Sequence, residues 1–458
     1  MINMFKPISI SLSPNTEKDD VYLALKLLFQ CWKWKKELIE TDSPQVQLEE
    51  AFKRYLGIEY AVSFNSGRSA LMAILSSLEI EKDTEVLLQA FTCNAAVNPI
   101  IRAGLKPVYI DIDDTLNLNP EDLKRKITPY SRAVMVQHNF GWPAQMEEIS
   151  KIARDNNLFL GDEDKSSSST RVNTWVGDEN KVSSSTRVNT WVIEDCAHSL
   201  GAKYKGKLCG TFGDASFFSF GRDKIISSIF GGMAVTNNEE VGKKLKEFQK
   251  KLDYPSNLWI LQQLLHPILM KWKVMPLYAT HSFLGRIVLG VLHQLSFLSK
   301  AVYRQEKKGE IPRQFPKKFP RALAILALNQ FKKLNSFNVH RRIIADFYQK
   351  ELKNFKLPLA RSQERVESTF MRYPVLVEKE TDEILKEARR RKIYLDDGWR
   401  KSVIIPPDTD IEKMKYISGS CPRAEKTVKS IVNLPTHINI SEKEAKKVTE
   451  FLKAYGPR

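Results

Sequence analysis

The sequence has few of the features that define disulfide-rich, zinc-binding or membrane-spanning proteins. Its five cysteines are scattered along 458 residues, without a CxxC pair or a zinc-type Cys/His spacing, so neither a disulfide framework nor a metal site is expected. The first residues lack the basic and then apolar pattern of a signal peptide. No uninterrupted apolar run reaches the roughly 18 residues expected of a spanning helix. These absences indicate a reducing, cytoplasmic compartment.

Acidic residues are outnumbered by basic ones. The chain has 71 Lys and Arg against 54 Asp and Glu, a formal charge of +17. This excess favours a polyanionic partner: nucleic acid, an anionic membrane face or a phosphorylated substrate. Nucleic acid is the weakest of the three, because no helix-turn-helix signature or basic-aromatic strand pattern is present.

The order of the apolar patterns predicts an α/β protein with more than one domain. Residues 45–160 alternate between short β-branched segments, such as 60–64 and 107–111, and helical patterns. This alternation is typical of a parallel sheet covered on both faces. From residue 322 onward, a long helix through Tyr348 and shorter mixed elements predict a smaller α+β domain. We therefore divide the chain into an N-terminal segment (1–44), a large domain (45–254), a helical insertion (255–310) and a small domain (311–458).

A tandem duplication interrupts the large domain. Residues 161–192 consist of GDEDKSSSSTRVNTWV followed by GDENKVSSSTRVNTWV, two 16-residue copies that are identical at 14 positions. Their polar composition predicts a looped insert without a function of its own. Residues 158–160 would otherwise continue into 193–195 as one strand. Either they do so, or residues 190–192 replace them in that strand.

The region 255–305 combines apolar helical patterns with flanking Lys and Arg residues. A buried helical hairpin is the simpler interpretation, and a basic helix pair that lies on a membrane surface is the alternative. The following stretch, 304–321, is rich in Lys and Arg and has three prolines, which is typical of a linker.

Four segments could hold chemistry. Residues 66–69 lie between a strand and a helix, where backbone N–H groups bind anions. The acidic pair Glu194-Asp195 ends a strand at the edge where α/β sheets place ligands, so one carboxylate could hold a cationic ring nitrogen. Lys224 follows an apolar strand that ends near Ser219, and a lysine with such flanks is suited to imine formation. The fourth segment, 421–437, is by itself only a helix start and a turn.

Taken together, these segments resemble the DegT/DnrJ-type (StrS-like) aminotransferases, pyridoxal-phosphate (PLP) enzymes that aminate nucleotide-linked keto sugars. The resemblance covers roughly residues 45–250 and 311–440. It includes the phosphate turn, the acidic pair, the Ser-to-Lys stretch, Phe91-Thr92, Gly141 with Pro143, and the Cys-Pro-x-Ala-Glu and Leu-Pro-x-His segments. The resemblance implies a large domain like that of aspartate aminotransferase (fold type I), with a mostly parallel seven-stranded sheet. It also implies a small α+β domain and a homodimer.

The resemblance assigns roles to six residues. Lys224 matches the Schiff-base lysine, which also moves a proton between cofactor and substrate. Asp195 matches the carboxylate that pairs with the pyridinium nitrogen and keeps the ring an electron sink. The other matching positions are His198 beside the ring, Ser219 at the phosphate, and the backbone of Gly67 and Arg68, also at the phosphate.

Two positions depart from the family pattern. Many relatives have an aromatic ring that stacks on the cofactor where this chain has Cys93, so stacking by Phe91 or by another ring is the alternative. Relatives also supply a phosphate-binding asparagine from a neighbouring subunit. The matching stretch here, 315–321, has none, so a lysine or Arg321 replaces it, or the contact is lost.

The function that the resemblance implies is transfer of an amino group from an amino acid, usually glutamate, to a nucleotide-linked keto sugar. Such reactions serve polysaccharide or glycoconjugate biosynthesis. Relatives with histidine in place of the lysine are dehydratases, and Lys224 argues against that branch. The alternative is a catalytically impaired or non-enzymatic member, including a binding protein that lies at the inner membrane face through residues 255–305.

Overall fold

The computed structural model of the chain describes residues 7–35, 42–159, 190–359 and 366–455. The strands are β1 (Ile8–Ser9), β2 (Tyr60–Phe64), β3 (Glu85–Gln89), β4 (Thr92–Cys93), β5 (Lys106–Ile110), β6 (Ser131–Gln137), β7 (Trp191–Asp195), β8 (Lys203–Tyr204), β9 (Lys207–Leu208), β10 (Ala215–Ser219), β11 (Gly232–Thr236), β12 (Val366–Glu367), β13 (Arg372–Leu376), β14 (Ile393–Tyr394), β15 (Ile404–Ile405) and β16 (Ile431–Pro435). The helices are α1 (Lys18–Leu28), α2 (Pro44–Leu56), α3 (Gly67–Ser77), α4 (Asn94–Arg102), α5 (Pro120–Lys126), α6 (Met146–Phe159), α7 (Glu239–Lys250), α8 (Asn257–Leu269), α9 (Met275–Thr280), α10 (Ser282–Gln294), α11 (Arg304–Lys307), α12 (Arg321–Phe331), α13 (Leu334–Glu351), α14 (Thr381–Arg390), α15 (Pro422–Ser430) and α16 (Glu442–Lys453).

A seven-stranded sheet in the order β2-β11-β10-β7-β6-β3-β5 forms the centre of the molecule. Only β11 is antiparallel to its neighbours, β2 and β10, and the other adjacent pairs are parallel. The apolar side chains of these strands are buried, as expected of a sheet with helices on both faces. The predicted α/β class with a mostly parallel seven-stranded sheet is confirmed.

The second copy of the duplication supplies the start of β7. Trp191 and Val192 pair with Ala133 and Val134 of β6, whereas α6 continues through Phe159. Of the two arrangements that the sequence left open, the structure therefore has the one in which residues 190–192 replace 158–160. Of the predicted looped insert, 161–192, residues 161–189 lie outside the described residues, and the prediction of a loop was wrong for Trp191 and Val192, which belong to β7.

The C-terminal part combines helices with small sheets. The strands β13 and β16 form an antiparallel pair, and β1 from the N-terminal segment pairs in parallel with β14. The prediction of one long helix from 322 to 348 was wrong, because Lys332 and Lys333 separate α12 from α13. The break places Lys333 Nζ 2.9 Å from Asp19 and 3.2 Å from Asp20 near the start of α1.

The helical insertion is buried at its start and exposed further on. The helix α8 packs against α1 and is buried along one side, and a π-helical turn, Met270–Val274, connects it to α9. In α10, only Gly285 is fully buried. Among the described residues, no helix has the length and apolar character needed to cross a membrane.

Residues 304–321, predicted to be a linker, do contain a stretch between α11 and α12 without a named helix or strand, but the segment is packed, with Phe315 and Phe319 buried. The segment also contains α11, whose Glu306 is buried against the large domain.

Candidate active site

One cavity of about 360 Å³ brings together all six residues that the sequence singled out. It opens where β2, β7 and β10 end, and its lining includes Gly67, Arg68, Asp195, His198, Ser219 and Lys224. Because β7 and β10 are parallel neighbours, the residues at their carboxyl ends face the same edge of the sheet. Segments that are up to 157 positions apart in sequence therefore contribute to one site.

The N-terminus of α3 forms an anion cradle in this cavity. Ser66 caps the helix by accepting the N–H of Ser69 at 3.1 Å, so the N–H groups of Gly67 and Arg68 have no intrahelical partner. A Cβ at Gly67 would lie 2.9 Å from Ser219 Cβ, and one at Gly232 would lie 2.5 Å from the nitrogen of Gly67. Glycine is thus required at both positions for the helix end, Ser219 and β11 to approach so closely.

A second helix end opens into the same cavity. The helix α4 has Cys93 as its N-cap residue, and Ala95 and Ala96 in its first turn line the cavity. The N-termini of two helices therefore direct partial positive charge into the site, which favours a phosphate group there.

The two members of the acidic pair do different work. Glu194 accepts hydrogen bonds from the N–H groups of Gly210, Phe212 and Gly213 and from His138, so it holds a loop in place. Asp195 accepts the N–H of Ala197 at 2.9 Å. Burial raises the pKa of Asp195 to about 6, and the Ala197 bond and the charge of Lys224 counteract only part of this rise. A cation beside Asp195 would stabilise its charged form.

Lys224 and His198 form a direct pair. The Nζ of Lys224 lies 2.9 Å from Nε2 of His198, and Nδ1 of His198 accepts the N–H of Phe140 at 3.3 Å. Burial, together with the charges of Lys224 and Arg372, holds the pKa of His198 well below its ordinary value. The His198 ring is therefore neutral, and its Nε2 is the ring atom within hydrogen-bond reach of the Lys224 amine.

Aromatic rings enclose the His198 side of the cavity. The ring of Phe140 stacks on His198 with a centroid distance of 5.9 Å, and Trp399 meets His198 edge-on at 4.8 Å. Phe91 packs behind these rings against Phe140 and Trp399 and does not line the cavity, whereas Cys93 and Trp399 do. Trp399 therefore has access to the site, as do Phe217 and Phe230, whereas Phe91 and Phe140 do not line the cavity.

Sequence reasoning missed a buried ion-pair network beside Lys224. Arg372 lies 2.6 Å from Asp223, the residue before Lys224, and 3.1 Å from Asp397, two residues before Trp399. Arg372 and Asp397 are nearly fully buried. The sequence reasoning also missed Trp399, although a signal for it was present, because it is the only apolar side chain in the polar stretch 396–402. The sequence could not show that this side chain reaches the cavity, because that depends on the tertiary fold.

The end of the helical insertion forms another wall. Arg222 donates to the carbonyl of Ser299 at 2.8 Å, and Arg68 donates to the carbonyl of Ala301 at 2.9 Å and pairs with Glu306. The guanidinium of Arg68 is thus engaged with this segment, which leaves its backbone N–H as the group offered to an anion.

The remaining predicted segments lie elsewhere. In the 315–321 stretch, Lys317 pairs with Asp253, and no residue of this stretch is among those that line the cavity of its own chain. The 421–437 segment is structural: the N–H groups of Arg423 and Ala424 bind Asp111, and His437 Nε2 lies 2.7 Å from the carbonyl oxygen of Ser9.

The cavity fits PLP in its chemistry. It has an amine for an aldehyde, a buried carboxylate for a cationic ring nitrogen, and a glycine-dependent cradle of N–H groups and a hydroxyl for a phosphate. This combination on a mostly parallel α/β sheet defines the site of a PLP-dependent aminotransferase.

The chain belongs to the DegT/DnrJ/EryC1/StrS aminotransferase family, whose model matches residues 34–168, 176–252 and 297–453. PLP is the cofactor of this family, so the predicted family and cofactor are both confirmed.

Individual relatives agree with this assignment. The GDP-perosamine synthase of Escherichia coli O157:H7 is 33% identical over 44% of this chain and 47% of its own length, so the chain matches about half of that relative. A UDP-4-amino-4,6-dideoxy-N-acetyl-beta-L-altrosamine transaminase of Campylobacter jejuni is 25% identical over 96% of this chain and 95% of its own. The fold matches that of Spr1654 from Streptococcus pneumoniae, solved in its PMP form, with a TM-score of 0.69, 21% identity and coverage of 98% and 97% of the two chains.

Proposed function

We propose that this chain transfers an amino group from an amino acid, glutamate in the first place, to a keto sugar that is linked to a nucleotide. The product would serve polysaccharide or glycoconjugate biosynthesis. One observation carries the proposal: Lys224 and the buried Asp195 line the same cavity, next to a glycine-dependent anion cradle. The family and the names of its relatives, which include sugar transaminases, support the same substrate class.

Each side chain has a task in this proposal. The Nζ of Lys224 would hold the cofactor and then carry a proton at the reacting carbon, and His198 Nε2 would orient that amine. Asp195 would bind the ring nitrogen as a carboxylate, while Ser219 and the N–H groups of Gly67 and Arg68 would bind the phosphate. When bound, PLP supplies an electron sink for the charge that develops after proton removal. Trp399 and Phe140 would exclude water from that side.

The basic side chains at the cavity suit an anionic substrate. Lys307 lines it with a partly exposed amine whose only described partner is Asp408, at 2.5 Å. A diphosphate could compete for this lysine, because it lies at the surface. We also propose that the protein is a cytoplasmic homodimer, in which a partner subunit completes the phosphate site.

A spectroscopic experiment tests the assignment of Lys224. The purified wild-type protein loaded with PLP should show the visible band of lysine-bound cofactor, and Lys224→Ala should lack it. Lys207→Ala, a change at an exposed lysine outside the cavity, is the matched control and should keep the band. Identical spectra for wild type and Lys224→Ala would contradict the role of Lys224.

The substrate class needs a second experiment. Incubation with glutamate and a panel of nucleotide-linked keto sugars, followed by product mass, should reveal replacement of a carbonyl oxygen by an amine. A protein that shows the visible band but aminates no sugar of the panel would favour the second candidate, a catalytically impaired family member. The retained contact between Lys224 and His198 argues against that candidate.

A further inference from the structure

The outer face of α10 is an apolar surface that nothing in the described chain covers. Phe283, Leu284, Ile287 and Val291 recur at the spacing of one helix face, and each is at least 45% exposed. The opposite face is packed: Leu289 and Leu292 contact the cluster around Met270 and Val274. The outer stripe is therefore exposed even though the helix itself is held in place by its opposite face.

A close contact fixes the direction in which this stripe points. A Cβ at Gly285 would lie 2.5 Å from the ring of Tyr278 in α9. Only glycine therefore lets α10 pack this closely on α9. Because the inner face of α10 is held there, the outer apolar residues are presented away from the protein.

The charge along this segment of the sequence has one sign. Residues 254–305 contain no Asp or Glu but include Lys271, Lys273, Arg286, Lys300 and Arg304. Trp272, which lies between two of these lysines, is 55% exposed. An apolar stripe with a flanking Trp and basic residues is typical of helices that lie in the plane of a membrane interface.

The small domain adds further basic residues to the same region. Four consecutive basic residues occupy 389–392, and Lys392 Nζ contacts the carbonyl of Thr280 at the end of α9, at 3.4 Å. The carboxylates that pair with this run are Glu387 and Asp396, so the run keeps a positive balance. A second copy of the chain would bring the same positive charge to the contact, whereas an anionic lipid surface is complementary to it.

We propose that one surface, called here the α9–α10 face, docks the protein on an anionic phospholipid membrane. It consists of Phe283, Leu284, Arg286, Ile287 and Val291 of α10 and of Lys271, Trp272 and Lys273 in the turn before α9. The contact lies in the plane of the membrane and does not span it. This property is independent of the proposed aminotransferase activity.

Sedimentation with lipid vesicles tests the proposal on the full-length protein. The wild type should sediment with vesicles of phosphatidylcholine and phosphatidylglycerol, should bind pure phosphatidylcholine vesicles far less, and should dissociate from the mixed vesicles at high salt. Phe283→Ser/Ile287→Ser should weaken binding at least about tenfold. Ile417→Ser, at an exposed apolar residue outside the insertion, should not.

The charge requirement has its own matched pair of variants. Lys271→Gln/Lys273→Gln should weaken binding roughly fivefold for each lysine. Lys250→Gln/Lys251→Gln makes the same change in net charge at the end of α7 and should have a smaller effect. Equal effects of the two double variants would show that net charge alone, and not this face, determines binding.

Three further results would overturn the proposal. The first is wild-type protein that does not bind mixed vesicles. The second is Phe283→Ser/Ile287→Ser that binds like the wild type. The third is a wild-type oligomer that dissociates in this variant, without vesicle binding by either, which would make the face a subunit interface. Amide hydrogen exchange of the wild-type protein, with and without vesicles, needs no variant and so does not depend on how a variant folds. Mixed vesicles should slow the exchange of the amides in α9 and α10.

Discussion

At the scale of single residues, Asp195 shows how position determines chemistry. Its neighbour Glu194 has the same functional group but is saturated by N–H donors and structural in role. The sequence indicated that one of the two carboxylates could hold a cation, and the resemblance selected Asp195. The contacts of His198, Arg372 and Trp399 were not predictable, because they join segments far apart in the chain.

The raised pKa of Asp195 predicts a pH-dependent stability in the cofactor-free protein. The pKa is 3.8 in the unfolded chain and about 6 when folded. A raised pKa in a carboxyl means that stability is fully present below the unfolded value and is lost as pH rises through the folded one. Between pH 4 and pH 6, the wild type should therefore lose about 2 kcal/mol relative to Asp195→Asn, which does not titrate, and the full change over a wider pH range is about 3 kcal/mol.

Urea unfolding of both cofactor-free proteins across this pH range measures the difference. Loading with PLP should reduce it, because a cationic ring nitrogen favours the ionised carboxyl. A difference between wild type and Asp195→Asn that does not change with pH would show that Asp195 is not buried as described.

At the scale of elements, the periodicity of apolar residues was sufficient to predict the strands and helices of the large domain, but not those of the rest of the chain. Alternating patterns predicted the parallel sheet because its strands and helices differ in period. The same patterns could not show that α12 and α13 are separate helices. Composition suggested a linker at 304–321, but Glu306 is buried beside Arg68. Prolines and charges describe a segment's local tendencies and not the surface on which it packs.

The duplication offers a test in which the two copies act as each other's control. Val192 of the second copy is buried in β7, so Val192→Ala should destabilise the protein by about 1 kcal/mol or more. Deletion of 161–176 removes the first copy and keeps Trp191 and Val192, so it should change stability by less than about 0.5 kcal/mol and leave activity intact. Thermal unfolding of the wild type and both variants is the measurement. A large loss from the deletion would show that the first copy is not passive.

At the scale of the whole molecule, the N-terminal segment connects parts that the sequence treated separately. The predicted division at 44, 254 and 310 stays a prediction, but contacts cross it. Asn15 donates to the carbonyls of Lys224 and Ile225, and Arg341 of α13 donates to Asn15 Oδ1 at 2.6 Å. Burial lowers the pKa of Arg341 to about 9, so this guanidinium remains charged at neutral pH and depends on these polar partners.

Asn15→Ala should therefore disturb the cofactor site from a distance. The change removes the acceptor for Arg341 and the donor to the Lys224 carbonyl, at a cost of about 1–3 kcal/mol. The melting temperature should fall, and the cofactor-free protein should regain its visible band more slowly when PLP is added. Lys26→Ala, at an exposed lysine of α1, is the control. Normal loading in a destabilised Asn15→Ala protein would restrict Asn15 to a structural role.

The contacts of this segment also constrain the order in which the site can form during synthesis. Ser9 and Asn15 are synthesised early, but their partners come much later in the chain. The carbonyl of Ser9 contacts His437, and Asn15 accepts a hydrogen bond from Arg341 in α13. The backbone around Lys224 therefore lacks its final support until Arg341, 326 residues after Asn15, has been translated. A nascent chain stalled before residue 341 would carry the lysine but not the rigid loop that presents it.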